Sequence, residues 1–312
     1  MNYTYLYKKE IANPDDLPSL GKYDYFLTSF AQSERVLTPA DKIDAKEIVW
    51  FVDKAEAGNL FLAGKRQLQL DTNYDWMTIK NFIMGIHPVG KRICIDSTGF
   101  TIPYLIFTIR TLYYAGVRKL DIIYTEPKKY DKEEKTSFSE DPLGVSQIVG
   151  LAGKHTSDTE SDILIIATGY DYSRIIEVAS HKKPLQKVLL FGFPSMSAEM
   201  FQENIISSYK AQEDLNTDCF HSMEGNLYAP ANDPFVTAQV IKEFIESHKS
   251  RTTNFYLAPV SSKPQALGIA LFYINENCWN KNISILYPYC VKYHLNNTEG
   301  IARIWRYSFE FE

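Results

Sequence analysis

Two short polar turns in this sequence have the residue types that bind an anion. Residues 96–101 read Asp-Ser-Thr-Gly-Phe-Thr and lead into a proline-started apolar run, and Ser261-Ser-Lys263 leads into a second one. Hydroxylated residues and glycine before a helix leave backbone N–H groups and the positive end of the helix dipole facing a phosphate. Lys263 adds a cation at the second turn. We expect both turns to bind phosphate or another anion, with simple helix capping as the alternative.

A further polar segment follows an apolar run at the start of the second half. Thr168-Gly-Tyr-Asp171 comes after that predicted strand, and Arg174 lies in the first turn of the next predicted helix, where a guanidinium can bind a phosphate. Ligands of open parallel sheets bind beyond the carboxyl ends of strands. The predicted ligand-binding residues are therefore Ser97, Thr98, Gly99, Thr101, Gly169, Asp171, Arg174, Ser261, Ser262 and Lys263.

Patterns for catalysis, metals and cofactors are weaker. Asp96 or Asp171 could serve as a general base if the protein is an enzyme. The sequence has no G-x-x-x-x-G-K-[ST] motif, no complete G-x-G-x-x-G after the first strand and no G-x-S-x-G elbow. His155 and His221 are the histidines freest to meet a ligand, but Cys219 with His221 is too small a set for zinc. We predict no metal and no cofactor.

The two anion-binding turns belong to an internal repeat. Residues 91–127 and 252–288 each read as a buried strand, a polar turn, a proline-started helix and a strand ending in proline. Pro103 and Pro264 take the same place in the two copies. Two further matches lie upstream, 24–35 with 162–174 and 47–53 with 187–193. The order of these matches predicts a duplicated fold.

The elements that position the turns are those of an α/β protein. Runs such as 164–167 and 188–191 are apolar throughout, which is typical of parallel strands covered on both faces. Their alternation with helices indicates β-α-β units. We predict two tandem Rossmann-like halves with mainly parallel sheets covered by helices, and an antiparallel edge strand at the C-terminus that pairs with the N-terminus. The predicted ranges are 1–127 for the first half, 128–161 for a charged, Ser-rich linker and 162–312 for the second half.

Bulk composition is that of a soluble globular protein. The chain has 312 residues, 45% hydrophobic and 23% charged, with a net charge of −5. That charge disfavours duplex nucleic acid as a partner. The longest apolar helix, near 102–115, is too short to span a bilayer. Scattered cysteines and the lack of a visible signal peptide lead us to expect a cytoplasmic protein with no membrane partner.

Residues 95–103, Ile-Asp-Ser-Thr-Gly-Phe-Thr-Ile-Pro, resemble the CARF domains, Rossmann-like sensors of prokaryotic antiviral defence that bind cyclic oligonucleotides. The family pattern is a strand, then Asp-x-Thr-Gly-Gly-Thr-Lys, then a helix. The first copy has Ile102 where the lysine would be, and the second keeps a hydroxyl and Lys263 but lacks the aspartate. The duplicated pair is similar to the SAVED sensors. The resemblance implies nucleotide binding. Such sensors usually carry a fused effector such as a nuclease, and because we find no segment here large enough to be one, we expect a separate effector protein as partner.

Three functions are open at this level. In the first, a soluble sensor binds a nucleotide-like ligand in the cleft between the halves and signals to a partner. In the second, an enzyme hydrolyses or processes a nucleotide at the same cleft. In the third, the protein is a ligand-free scaffold subunit.

Overall fold

The chain forms two compact units, each with its own sheet. The structure is a computed structural model that describes residues 2–71, 75–130, 139–169, 171–181, 186–197, 200–215, 225–293 and 298–312. We call Leu6–Thr136 with Tyr293–Glu312 the first unit, and Met1–Tyr5 with Ser137–Lys292 the second unit.

The first unit is built on a seven-stranded sheet. Its strands are β1 (Tyr7–Ile11), β2 (Tyr23–Ser29), β3 (Ala45–Asp53), β4 (Arg66–Leu70), β5 (Ile93–Asp96), β6 (Lys119–Tyr130) and β13 (Thr298–Glu310). Its helices are α1 (Glu34–Lys42), α2 (Trp76–Gly85) and α3 (Ile102–Tyr114). The strand order is β1-β13-β6-β5-β2-β3-β4.

The second unit is built on a six-stranded sheet. Its strands are β7 (Ser139–Gln147), β8 (Ile163–Ala167), β9 (Gln186–Gly192), β10 (Leu227–Ala229), β11 (Phe255–Pro259) and β12 (Ile283–Tyr293). Its helices are α4 (Tyr172–His181), α5 (Met200–Leu215), α6 (Pro234–His248) and α7 (Lys263–Asn275). The strand order is β10-β9-β8-β11-β12-β7.

The same parallel core occurs in both units, as the duplicated sequence predicts. Strands β2 to β6, numbered along the chain, lie in the order 3-2-1-4-5, and so do β8 to β12. Every neighbouring pair in the two cores is parallel. The connection between the second and third strands differs, because the first unit has short 3₁₀ turns where the second has α5. The predicted α/β fold with two Rossmann-like halves is therefore confirmed.

Burial explains why these segments fold as they do. Every residue of β8 and β11 is buried, as expected for strands covered on both faces. α7 is buried from Pro264 to Asn275, which matches a sequence that is apolar all round. α6 begins where the sequence supplies a capping side chain before proline: Asp233 accepts hydrogen bonds from the backbone N–H groups of Phe235 and Val236.

The C-terminal strand is antiparallel and pairs with the N-terminal strand β1, but it belongs to the first sheet. β13 lies between β1 and β6 and pairs with β6 along almost its whole length. The range 162–312 predicted for the second half thus differs from the second unit of the structure. Burial supplies the reason, because Tyr307, Phe309 and Phe311 place their rings in the core.

The range 128–161 predicted as a linker also differs from the structure. Its described residues include β7 and a segment, 148–156, that hydrogen-bonds along β12. The Ile148 N–H donates to Ile285 O, and the Lys154 N–H donates to Lys281 O. This segment follows the first residues of β12, at the amino ends of the parallel strands of the second unit. It is not a lid over the carboxyl ends there.

Candidate ligand site at the carboxyl ends of the parallel strands

The predicted turns lie where the strand order of each sheet reverses. In the first unit this point is between β2 and β5, and in the second it is between β8 and β11. Open α/β sheets bind their ligands in the crevice outside the carboxyl ends of strands at such a point. All predicted ligand-binding residues lie in the turns or first helical residues that follow β5, β8 and β11.

Asp96, at the end of β5, is enclosed in the first unit. Its side chain is fully buried. Asp96 accepts hydrogen bonds from the Thr28 hydroxyl at 3.2 Å and from the Thr98 N–H at 3.0 Å. Burial raises the pKa of the Asp96 carboxyl to about 6, and these hydrogen bonds oppose the rise. A carboxylate in this position fixes the turn and has no exposed surface for a substrate.

The Ser97 and Thr98 hydroxyl groups are also used inside the first unit. The Ser97 hydroxyl donates to Ile123 O on β6 at 2.8 Å, and Thr98 Oγ1 accepts from the Thr125 N–H at 3.0 Å. Both residues are buried. Their predicted role was to hold phosphate, and the structure gives them a different one, since they join the β5–α3 turn to β6.

Gly99 and Gly169 allow close backbone approaches within their own units. A Cβ on Gly99 would lie 2.1 Å from the backbone oxygen of Ser29, the last residue of β2. A Cβ on Gly169 would lie 2.5 Å from Val260 O, in the turn after β11. No side chain fits such distances to a backbone oxygen. In each unit the glycine therefore lets one turn at the reversal point pack against the carboxyl end of the neighbouring strand or the turn that follows it.

Thr101 is the N-cap of α3 but makes no capping hydrogen bond. Its Oγ1 atom is buried and has no hydrogen-bond partner among the described residues. Ile102, the next residue, is buried and uncharged, so the helix start presents no cation. The first unit thus offers an anion little beyond this one hydroxyl.

Arg174 hydrogen-bonds across the second unit to a backbone carbonyl, and Arg35 makes the corresponding contact in the first unit. Arg174 is 7% exposed, lies over the Tyr287 ring at 4.6 Å and donates to Pro288 O at 3.0 Å. Arg35 lies over the Tyr124 ring at 5.7 Å and donates to the next carbonyl, Thr125 O, at 2.6 and 2.9 Å. Each arginine ties the helix after the first parallel strand to the last parallel strand.

The sequence match between the segments that contain Ser33-Glu-Arg35 and Ser173-Arg174 indicates that these two arginines occupy equivalent positions. The prediction for Arg174 was ligand binding, and these contacts support a structural role.

The turn after β11 combines a capping serine, a buried serine hydroxyl and a lysine. The Ser262 hydroxyl caps α7, accepting from the Gln265 N–H at 3.3 Å and donating to Ala231 O at 2.6 Å. Ser261 Oγ is buried and has no hydrogen-bond partner among the described residues. Lys263 opens α7 and is partly exposed, so a positive charge stands at the positive end of the helix dipole. Among the predicted turns, this one has the residue types best suited to bind an anion.

The turns after β9 and β10 hydrogen-bond to each other, and Ser262 of the turn after β11 donates to the second of them at Ala231 O. The Phe193 N–H after β9 donates to Ala229 O at 2.8 Å, and the Ala231 N–H donates to Pro194 O at 2.9 Å. Asp171 is 8% exposed and accepts a hydrogen bond from the Ser173 hydroxyl, and Tyr170 lies outside the described residues. The edge therefore holds its turns in fixed positions, as a binding site requires.

A Ser-His-Tyr-Asp network lies at the opposite, amino ends of β11 and β12. His155 Nε2 is 2.5 Å from Ser284 Oγ, and His155 Nδ1 is 2.9 Å from the Tyr256 hydroxyl. Tyr256 also hydrogen-bonds to Asp162, and burial raises its pKa to about 12. Ser284 is fully buried, so it cannot attack a substrate. The network instead fixes segment 148–156 to the sheet, a role that no local motif indicates.

No group of three or more His, Cys, Asp or Glu side chains that could hold a metal ion occurs among the described residues. Cys219 and His221 lie outside them. Within the part of the chain that the structure describes, no helix has both the length and the apolar character needed to cross a membrane.

Comparisons with known proteins assign no family. No family model and no curated protein matches the chain. The chain is similar to a solved structure described as the glycotransferase of kitacinnamycin, at 9% identity over 86% of this chain and 87% of that one, with a TM-score of 0.16. At that TM-score the likeness carries no argument.

Proposed function

We propose that the second unit binds a nucleotide-like anionic ligand at the carboxyl ends of β8 and β11. In this proposal the protein is a sensor that leaves its ligand intact and signals to a separate effector protein. The resemblance of the two turns to CARF and SAVED sensors suggests a cyclic oligonucleotide of prokaryotic defence as the ligand.

The observation that carries the proposal is the Ser261 hydroxyl in the turn after β11. Ser261 Oγ is buried and has no hydrogen-bond partner among the described residues, and it lies two residues before a partly exposed lysine, Lys263, at the start of α7. A buried hydroxyl without a hydrogen bond costs about 1–3 kcal/mol, which a ligand oxygen would remove. The strand order of this sheet is also the one that places phosphates at the reversal point.

An enzyme at the same edge has weaker support. Asp96 has no exposed surface, and Asp171 is largely buried and holds the Ser173 hydroxyl. Neither carboxylate is placed to take a proton from a ligand without rearrangement. Turnover is therefore an outcome of the test rather than a second proposal.

The test is thermal unfolding of the whole chain with AMP, ADP, ATP, linear diadenylate, cyclic di-, tri- and tetra-adenylate and their guanine counterparts. A ligand at about 100 times its Kd stabilises its unit by about 2.7 kcal/mol, which raises the Tm by about 5 °C. Mass spectrometry of each ligand afterwards shows whether it stays intact.

Two variants make the result specific. Lys263→Ala is expected to remove the shift, whereas Lys80→Ala, at an exposed lysine on α2, is expected to keep it. A shift with intact ligand supports the sensor, and a cleaved ligand moves the function to catalysis. No shift with any nucleotide contradicts both and leaves the scaffold.

A further inference from the structure

Asn204, on α5, holds an unused hydrogen-bond acceptor. Its Nδ2 atom donates to Thr168 O at 2.9 Å. Because a carbonyl oxygen can only accept, this bond fixes the orientation of the amide and leaves Oδ1 as the other end. Asn204 is 7% exposed, and its Oδ1 atom is buried with no hydrogen-bond partner among the described residues.

The amide lies at the proposed ligand site of the second unit. Thr168 directly follows β8, at the reversal point of the sheet. A Cβ on the next residue, Gly169, would lie 3.3 Å from the Cα atom of Ser261. Asn204 and Ser261 therefore flank the same short turn, and each has a buried polar atom with no hydrogen-bond partner in the part of the chain that the structure describes.

Buried polar atoms without hydrogen bonds are unfavourable, and a ligand that bonds to Asn204 Oδ1 and Ser261 Oγ would remove that cost. The apolar residues Phe201 and Ile205, on either side of Asn204 in α5, pack against the hydrophobic core. Ser208, one helical turn later, donates its hydroxyl hydrogen bond to the backbone carbonyl oxygen of Asn204. The side-chain oxygen of Asn204 has no such partner among the described residues. Because it lies beside the turn proposed to bind an anion, it is suited to accept a hydrogen bond from a donor group of the ligand.

We propose that Asn204 Oδ1 accepts a hydrogen bond from a hydroxyl or amino group of the ligand, while Lys263 and Ser261 bind the phosphate of the same ligand. The inference rests on the proposed function and narrows its ligand class. Inorganic phosphate near neutral pH carries one or two P–OH donors, but they are on the same phosphorus as the oxygens that Lys263 and Ser261 would bind, so it offers Oδ1 no separate donor. A nucleoside phosphate has sugar hydroxyls and, in adenine, an exocyclic amine that can donate.

The test uses isothermal titration of the whole chain with AMP, 2′-deoxy-AMP, 3′-deoxy-AMP and IMP. One of the three analogues, the one that lacks the donor to Asn204, is expected to bind about tenfold more weakly than AMP. In Asn204→Ala that tenfold difference should vanish, because the variant removes the acceptor. Inorganic phosphate is expected to bind more weakly than AMP in the wild type.

Gln67→Ala is the matched control. Gln67 Nε2 also donates to a backbone carbonyl, and Gln67 Oε1 is buried with no hydrogen-bond partner within the described ranges, but Gln67 lies on β4 of the first unit. It is expected to keep the wild-type selectivity. Equal binding of all four nucleotides by the wild type, or a penalty that persists in Asn204→Ala, overturns the inference. If AMP then still binds and Lys263→Ala still weakens it, the proposed function stands. Binding of none of the four counts against both.

Discussion

The turn after β5 and the turn after β11 follow the fourth parallel strand of the same strand order, yet their polar groups have different partners. In the first unit, Ser97 and Thr98 bond to β6 and Asp96 is enclosed, although the buried Thr101 hydroxyl has no partner among the described residues. In the second unit, the Ser261 hydroxyl likewise has no partner among the described residues, but a partly exposed lysine, Lys263, follows it. The difference shows that turns in matching positions of a duplicated fold can carry different polar groups, of which the second set includes a cation.

The scaffold around the two turns is shared, which makes this comparison informative. Each unit has a glycine at a close backbone approach beside the reversal point. Each also has an arginine that hydrogen-bonds from the first helix to the last parallel strand. Features that recur in both copies are needed for the fold. Features that occur in one copy are the candidates for function.

The largest expected effect comes from breaking the shared scaffold. Gly99→Ala would place a Cβ atom 2.1 Å from Ser29 O, so one turn must move, and we expect the free energy of unfolding to fall by more than about 3 kcal/mol. Urea unfolding measures this loss. Gly85→Ala is the control, since a Cβ there meets nothing within 4 Å, and it should be neutral or stabilising by up to about 1 kcal/mol. Equal stability of both variants would show that the turns do not pack as described.

The next effect concerns the pH dependence that the enclosed Asp96 produces. Its pKa is about 6 in the folded unit and about 3.9 when unfolded, so the folded state binds the proton more tightly. Stability from this group is therefore full below about pH 4 and is lost as the pH rises towards 6, by about 2 to 3 kcal/mol. Asp96→Asn keeps the side-chain shape without this titration. Its stability relative to the wild type should rise between pH 4 and pH 7, and a constant difference would contradict enclosure of the carboxyl group.

The smallest effect separates the two turns directly. Ser97→Ala removes a buried hydrogen bond to Ile123 O and should cost about 1 kcal/mol of unfolding free energy. Ser261→Ala removes a hydroxyl that has no hydrogen-bond partner among the described residues, so the ligand-free protein should be unchanged or slightly more stable. The nucleotide-induced thermal shift should instead fall in Ser261→Ala and persist in Ser97→Ala. The reverse pattern would assign the site to the first unit.

Much of the fold could be predicted because its signals are local. The apolar runs 164–167 and 188–191 lie within β8 and β9, and the apolar helix predicted near 102–115 is α3. β4 was not predicted, since Arg66–Leu70 is short and alternates polar residues with leucine at the edge of the sheet. The place of the C-terminal strand depends on its pairing with β6, which no local pattern encodes.

The positions of the candidate site could also be predicted, but the partners of its residues could not. The Ser97 hydroxyl is used by Ile123 O on another strand, and Arg174 is used by β12. Asn204 lies on a helix far along the chain from Thr168, and nothing in its neighbourhood marks its Oδ1 atom as unused. Availability of a polar group is a property of tertiary packing, so residue type and spacing alone do not reveal it.

The most direct test of the central claim is amide hydrogen exchange, followed by mass spectrometry, with and without the nucleotide that gives the largest thermal shift. The account predicts slower exchange in residues 260–266, after β11, and no change in residues 97–102, after β5. Slower exchange in 97–102 with none in 260–266 would contradict it, and so would no change in either turn.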